Sequence, residues 1–215
     1  LGYFLRYGLR AKERKEVTVD PEEFGSYVHA VLEQTASAVR DLGGFHEVSL
    51  EKTMELAHVF SDRYAQTRFS QLESQRMEYL FRRNLRELDM VVEELWQELR
   101  QSGFQPEGFE VGFGNGKEGA LPAIPIPNGK IGAILQGYVD RVDVWQSPGS
   151  QYYRVVDYKT GTKDFDYCDV FNGVGLQMLL YLFALKKGGN SLLGEQAVPA
   201  GVQYFPARVR YLSMN

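Results

Sequence analysis

At Gly103 the apolar residues of this chain change their spacing, and that change constrains the fold more than any other feature. Before it, hydrophobic positions recur at helical period. After it they alternate or cluster in short runs, as strands require. The reading is an α/β (α+β) chain in which a helical N-terminal extension leads into a mixed sheet flanked by helices. Residues 1–103 form the helical portion and residues 104–215 the core sheet and helix, together one domain. Because the chain opens on Leu1, with Leu1 to Leu9 reading as the inside of an amphipathic helix, the expectation is a piece excised from something larger.

The helical signals are specific. Asp20, Pro21 and Glu23 read as an N-cap, a proline in the first helical position and a capping-box acid. That helix should run to about Asp41 and stop at Gly43 and Gly44, with Phe24, Val28, Val31, Leu32 and Val39 as its apolar stripe. A second helix is expected from about Leu50 to Gln66, capped by Ser49. A third runs from about Ser70 to Gln101, burying Leu72, Tyr79, Leu80, Leu88, Val91, Leu95 and Leu99. Beyond Gly103, Phe109 to Phe113 alternates as a strand, and the Pro- and Gly-rich stretch from Gly114 to Gly129 reads as an exposed loop. Ile131 to Trp145 supplies one or two strands. The turn residues Ser147 to Ser150 then lead into a strand from Tyr152 to Lys159. Gly175 to Lys187 has the apolar density of a buried helix, and Val198 to Arg208 reads as a final strand.

The chemistry concentrates between Gly137 and Gly161. Asp140 lies on one strand, and Asp157 and Lys159 lie two apart on the next. Strand side chains alternate faces, so Asp157 and Lys159 point the same way and continue the row of Val155, while Tyr158 points away. Two carboxylates and a lysine converging from adjacent strands suit metal-assisted phosphodiester cleavage. Oxygen ligands hold a hard divalent cation, and the ammonium orients or activates the attacking water. On a regular strand Asp143 faces away from Asp140 and reads as a solvated charge, with Arg141 as a neighbour or ion-pair partner. His29 reads from sequence alone as a structural residue, with Glu33 one turn later on its face. Gln177 and Tyr181 share a face of the later helix; Glu110 points either to solvent or into the same pocket.

Other classes are excluded or weakened. There is no phosphate-cradling loop of the ATP-motor type, no Gly-x-Ser-x-Gly elbow, no His-Glu-x-x-His and no dinucleotide fingerprint. No apolar run has the length of a membrane span, and no signal-peptide pattern opens the chain. The single cysteine, Cys168, excludes an internal disulfide framework and a cysteine-based metal site within this segment, which fits a cytoplasmic setting. The net charge of -4 is no basic footprint for nucleic acid. Two local clusters, Arg6 to Lys15 and Arg76 with Arg82, Arg83 and Arg86, read equally well as solvated helix faces or as phosphate contacts.

In order, His29, Glu110, the Gly137-Tyr-Val-Asp-Arg-Val-Asp strand, the Asp157-Tyr-Lys-Thr-Gly strand and Gln177 with Tyr181 resemble the PD-(D/E)XK nuclease superfamily in its RecB-like branch. The opening Tyr3-Phe-Leu-Arg-Tyr-Gly-Leu-Arg and the closing Pro199 to Arg208 resemble the nuclease domain of the AddB/RexB subfamily. The resemblance implies a restriction-endonuclease-like core and a Mg2+- or Mn2+-dependent deoxyribonuclease. It implies metal ligation by His29, Asp140, Asp157 and the Tyr158 carbonyl, with Lys159, Glu110, Gln177 and Tyr181 completing the catalytic set. It further implies single-stranded DNA ends as substrate, delivered by the helicase subunit of an AddAB-type heterodimer during break resection and recombinational repair. Members of the subfamily tie the domain's ends with a four-cysteine 4Fe-4S cluster. This chain carries none of those cysteines, Cys168 not being one of them, so the expectation is a cluster whose ligands lie in the longer protein.

Overall fold

The computed structural model describes residues 21–69, 75–114, 120–128, 131–161, 166–194 and 196–208. Three helices come first: α1 (Pro21–Asp41), α2 (Leu50–Phe69) and α3 (Gln75–Gln101). Their bounds follow the sequence signals. Gly43 and Gly44, both at positive φ, end α1, because an L side chain resists that conformation. Ser49 Oγ accepts from the Lys52 backbone N–H at 3.3 Å, as an N-cap should. Where they are described, the expected stripes are buried: Phe24, Val28, Val31, Leu32 and Val39 on α1, and Leu88, Val91, Leu95 and Leu99 on α3; Leu72 and the side chains of Tyr79 and Leu80 lie outside the description. The Asp20 cap, the opening helix and the first basic cluster lie outside the described residues.

The second half forms β1 (Gln105–Phe113), β2 (Ile124–Asn128), β3 (Ile131–Leu135), β4 (Gly137–Ser147) and β5 (Ser150–Lys159). These are followed by α4 (Tyr167–Phe171), α5 (Gln177–Gly188), α6 (Asn190–Leu193) and β6 (Ala197–Pro206). The main sheet has the order β1-β4-β5-β6. Its first three strands are antiparallel and β6 runs parallel to β5, the crossover passing through α4 to α6. Two expectations need correction, and one element went unread. The Pro- and Gly-rich stretch contains β2, which pairs with β3 as a two-stranded ribbon. Both strands of such a ribbon are edges, where Pro125 and Pro127 lose no ladder bond they need. The segment after β5 carries α4, a five-residue helix with no buried residue and hence no apolar periodicity to read. Only Met178, Ala184 and Leu185 of α5 are buried, so that helix covers the sheet with one side instead of being sunk in the core.

The two sheet faces have separate cores. Val156, Tyr158 and Phe205 pack under α1, α2 and α3. Val139, Val142, Val144, Tyr153 and Val155 pack under Met178, Ala184 and Leu185 of α5. Val139 and Val142 are three apart yet face the same core, so β4 does not alternate regularly between them. Its neighbour β1 reverses at the same level, Phe109 joining the helix-side core and Val111 the α5-side core. The β1–β4 register passes from Val111 opposite Val139 to Phe109 opposite Arg141, and the β4–β5 pairing starts at Arg141 opposite Val156. Glu110 and Asp140 lie at this interruption. Glu110 takes a φ of 45°, a left-handed conformation that costs a side-chain-bearing residue about 1–2 kcal/mol.

Candidate active site

The interruption in the sheet is where the chemistry-bearing groups gather. Tyr158, no longer paired to the β4 backbone, donates its N–H to Asp140 Oδ2 at 2.9 Å. Its carbonyl lies 2.8 Å from His29 Nε2. A carbonyl only accepts, so that nitrogen carries the proton and leaves Nδ1 facing Asp140 Oδ2 at 3.5 Å. α1 reaches this point because Gly25, one turn before His29, lies against Thr160 at the end of β5; a Cβ there would stand 3.4 Å from Thr160 Oγ1. On the other side of the sheet Asp157, buried, and Lys159, partly exposed, are in direct contact through Oδ2 and Nζ. The alternation argument therefore holds along β5. Lys159 also stands 5.8 Å from the ring of Tyr204 on β6.

The electrostatics mark the site as a place where negative charge is crowded. Burial pushes the Asp140 carboxyl up from its ordinary value, and the Asp157 charge adds to the rise against the opposing pull of His29, the Tyr158 N–H and Lys159. Glu110 is raised by burial and then by the charges of Asp140 and Glu33. Glu33 is raised by burial and by Asp140. Glu110 is itself exposed, and its left-handed backbone lies at the strand gap, where its carboxyl senses Asp140 and Glu33. Glu33 is the group that sequence reasoning undervalued, placing it only on the face of His29. The signal was its place one helical turn beyond the histidine.

Gln177 and Tyr181 meet each other, the Gln177 amide donating to the Tyr181 phenol at 2.6 Å. Tyr181 stands edge-on to Phe113 at 5.6 Å and close to Gly137, where an added Cβ would lie 3.3 Å from its Cε1. The pair therefore sits at the Asp140 end of β4. Among the described residues no contact joins it to Asp140, Asp157 or Lys159. Gln177 is exposed at the first position of α5.

Asp143 overturns the expectation of a solvated strand-end charge. It is fully buried, and its carboxylate receives Arg141 Nε at 2.7 Å, Arg141 Nη2 at 2.9 Å and Arg154 Nε at 2.9 Å. The reversal of β4 at Asp140 explains the error. Strict alternation counted from Asp140 does not carry across the break, and Asp143 turns with Arg141 beneath α3.

Among the described residues no three His, Cys, Asp or Glu side chains form a ready-made metal cage. The donor set nevertheless fits a hard divalent cation. His29 Nδ1 and an Asp140 oxygen stand 3.5 Å apart, a nitrogen and an oxygen donor side by side that one cation could share. The Asp140 carboxyl, raised by burial and by the Asp157 charge, would be relieved by the same positive charge.

A family model described as the PD-(D/E)XK nuclease superfamily matches residues 1–213. Relatives include an ATP-dependent helicase/deoxyribonuclease subunit of Clostridium novyi, 35% identical over 207 residues. The protein of the same name from Thermoanaerobacter sp. is 33% identical over 206 residues, and that from Clostridium acetobutylicum 31% over 207. Each alignment covers 94% of this chain and 18% of the relative, so the chain spans about a fifth of the length of the proteins it matches.

Proposed function

Because this chain belongs to the PD-(D/E)XK nuclease superfamily, we propose that its site hydrolyses phosphodiester bonds of single-stranded DNA with Mg2+ or Mn2+. The observation that carries the reading is the grouping at the sheet interruption. Asp140 is tied to the Tyr158 peptide and His29, and the Asp157–Lys159 pair stands on the adjoining strand. His29, Asp140, Asp157 and the Tyr158 carbonyl would hold the metal, with Glu33 and Glu110 adding negative charge around it. When bound, a divalent ion polarises the scissile phosphate and lowers the pKa of an attacking water. Lys159 orients that water and offsets the charge that develops on the phosphate, held in place by its contact with Asp157. Gln177 and Tyr181, joined to each other beside β4, organise the strand that enters the site.

The relatives' name couples a helicase to a deoxyribonuclease. In this reading the chain is one nuclease domain of a longer cytoplasmic protein. A helicase partner of the AddAB type feeds it DNA ends during break resection and recombinational repair, and a 4Fe-4S cluster belongs to the longer protein. Among the described residues no helix is long and apolar enough to cross a membrane.

The test is substitution of Asp157 or Lys159 by Ala in the protein that carries this chain. Metal-dependent cleavage of single-stranded DNA should fall by orders of magnitude, with circular dichroism unchanged. Undiminished cleavage by either variant would sink the assignment. An intact fold that takes up no Mn2+ in calorimetry would favour a DNA-binding scaffold instead.

A further inference from the structure

Beneath the site, on the face covered by the helices, lies a charged cluster that the proposed chemistry does not use. Arg141 is fully buried and grips Asp143 with two prongs of its guanidinium. Arg154 bonds Asp143 at 2.9 Å and Glu98 of α3 at 2.6 Å, and Arg141 Nη2 lies 3.8 Å from the other Glu98 oxygen. The remaining Arg141 prong, Nη1, donates to the Tyr158 phenol at 2.9 Å, and the guanidinium stands 5.4 Å from the centre of the Tyr158 ring. Stability alone does not call for such a cluster, since well-packed apolar side chains often serve as well as a buried ion pair.

Tyr158 is the residue through which the cluster meets the site. Its side chain lies among the buried charges, and its peptide holds Asp140 through the N–H and His29 through the carbonyl. On the β4 side that peptide has no ladder to fix it, because the β4–β5 pairing ends at Arg141 and Val156. We propose that Arg141 is a positioning residue: anchored by Asp143 and Glu98, it fixes the Tyr158 side chain and so sets the peptide that aims Asp140 and His29. The inference rests on the nuclease reading above. The fork geometry of Arg explains why a lysine would not serve, since one ammonium cannot span a carboxylate and a phenol from a rigid plane.

The experiment uses the full-length protein and measures Mn2+ binding by calorimetry beside the kinetics of single-stranded DNA cleavage. Tyr158→Phe keeps the ring and the ion cluster and removes only the atom that Arg141 holds. The expected result is a folded protein whose Mn2+ affinity falls about 10- to 100-fold, the usual effect of losing a partner that orients a metal ligand. kcat should fall with it and KM for DNA should not move, because no DNA contact has been touched. Tyr153→Phe is the control. It removes a phenol that donates to the Leu182 carbonyl at 3.3 Å on the opposite face, and should leave Mn2+ affinity unchanged. Arg141→Lys should reproduce the loss, and it carries the test if Tyr158→Phe does not fold. A folded Tyr158→Phe or Arg141→Lys protein with unaltered Mn2+ affinity overturns the positioning role while the nuclease reading stands. An unsubstituted protein that takes up no Mn2+ overturns both.

Discussion

Replacing Asp143 by Ala should destabilise the fold severely, and the size of the effect follows from charge arithmetic in the cluster. The intact group pairs two guanidinium ions, Arg141 and Arg154, with two carboxylates, Asp143 and Glu98, and so sums to zero. Without Asp143 the same buried space holds two positive charges against one negative. Arg141, fully buried, loses both bonds of its carboxylate grip and keeps only the Tyr158 phenol and a 3.8 Å approach to Glu98. Removing one partner of a buried ion pair costs about 3–5 kcal/mol, chiefly because the other charge is left uncompensated. With a urea m-value of about 2–3 kcal/mol/M, the unfolding midpoint should drop by about 1–2.5 M. Urea titration followed by circular dichroism reads this directly. Joint replacement of Arg141 by Met and Asp143 by Leu should cost much less than the sum of the two single changes, because neither charge is then stranded. A shift within about 0.5 kcal/mol for Asp143→Ala, the usual effect of changing a surface residue, would refute the burial argument. It would return Asp143 to the solvent-facing role that regular alternation assigns it.

Two further outcomes follow from the site. Asp140, Glu33 and Glu110 all have carboxyl pKa values raised by burial, Asp140 further by the Asp157 charge and the two glutamates further by the charge of Asp140. A raised pKa means the folded state prefers the protonated form. Their contribution to stability is therefore fully present below the ordinary carboxylate range and is lost as pH rises through the raised values. In chelator, thermal unfolding should show this gain on acidification from pH 7 towards 5 relative to Asp140→Asn, in which the gain shrinks, and Mn2+ affinity should weaken over the same interval as protons compete. Identical pH dependence in the two proteins would contradict the crowding of charge. Glu110→Gly should relieve the left-handed backbone and gain up to about 1 kcal/mol in thermal unfolding while cleavage falls, since the carboxylate is lost. A destabilised Glu110→Gly protein would show that the conformation is not strained.

Much of the fold was legible because it rests on local signals. The α1 and α3 stripes, the Gly43–Gly44 stop and the Ser49 cap each depend on residues within a turn or two, and burial followed their periodicity. The β2–β3 ribbon and α4 were not legible for the complementary reason. A proline-rich edge pair and a five-residue helix with no buried residue bury too little apolar surface to leave a pattern. At the site, the shared face of Asp157 and Lys159 came from two-residue alternation along one uninterrupted strand.

The sequence by itself determined which residue types are present and their order: a helix histidine, acids on successive strands, and an Asp-x-Lys pair that must share a face. What only the tertiary structure decided is where alternation fails. β1 and β4 change face together at Glu110 and Asp140, and no residue within either strand announces it, because the reversal is a property of the pair. That break turns Asp143 inward and brings Asp140 to the Tyr158 peptide. It also sets Glu33 and Glu110 against the same carboxylate. Strand periodicity is a local rule fixed by backbone geometry. The meeting of His29, Asp140 and the Tyr158 backbone depends on contacts between segments as much as 129 residues apart, which only packing can fix.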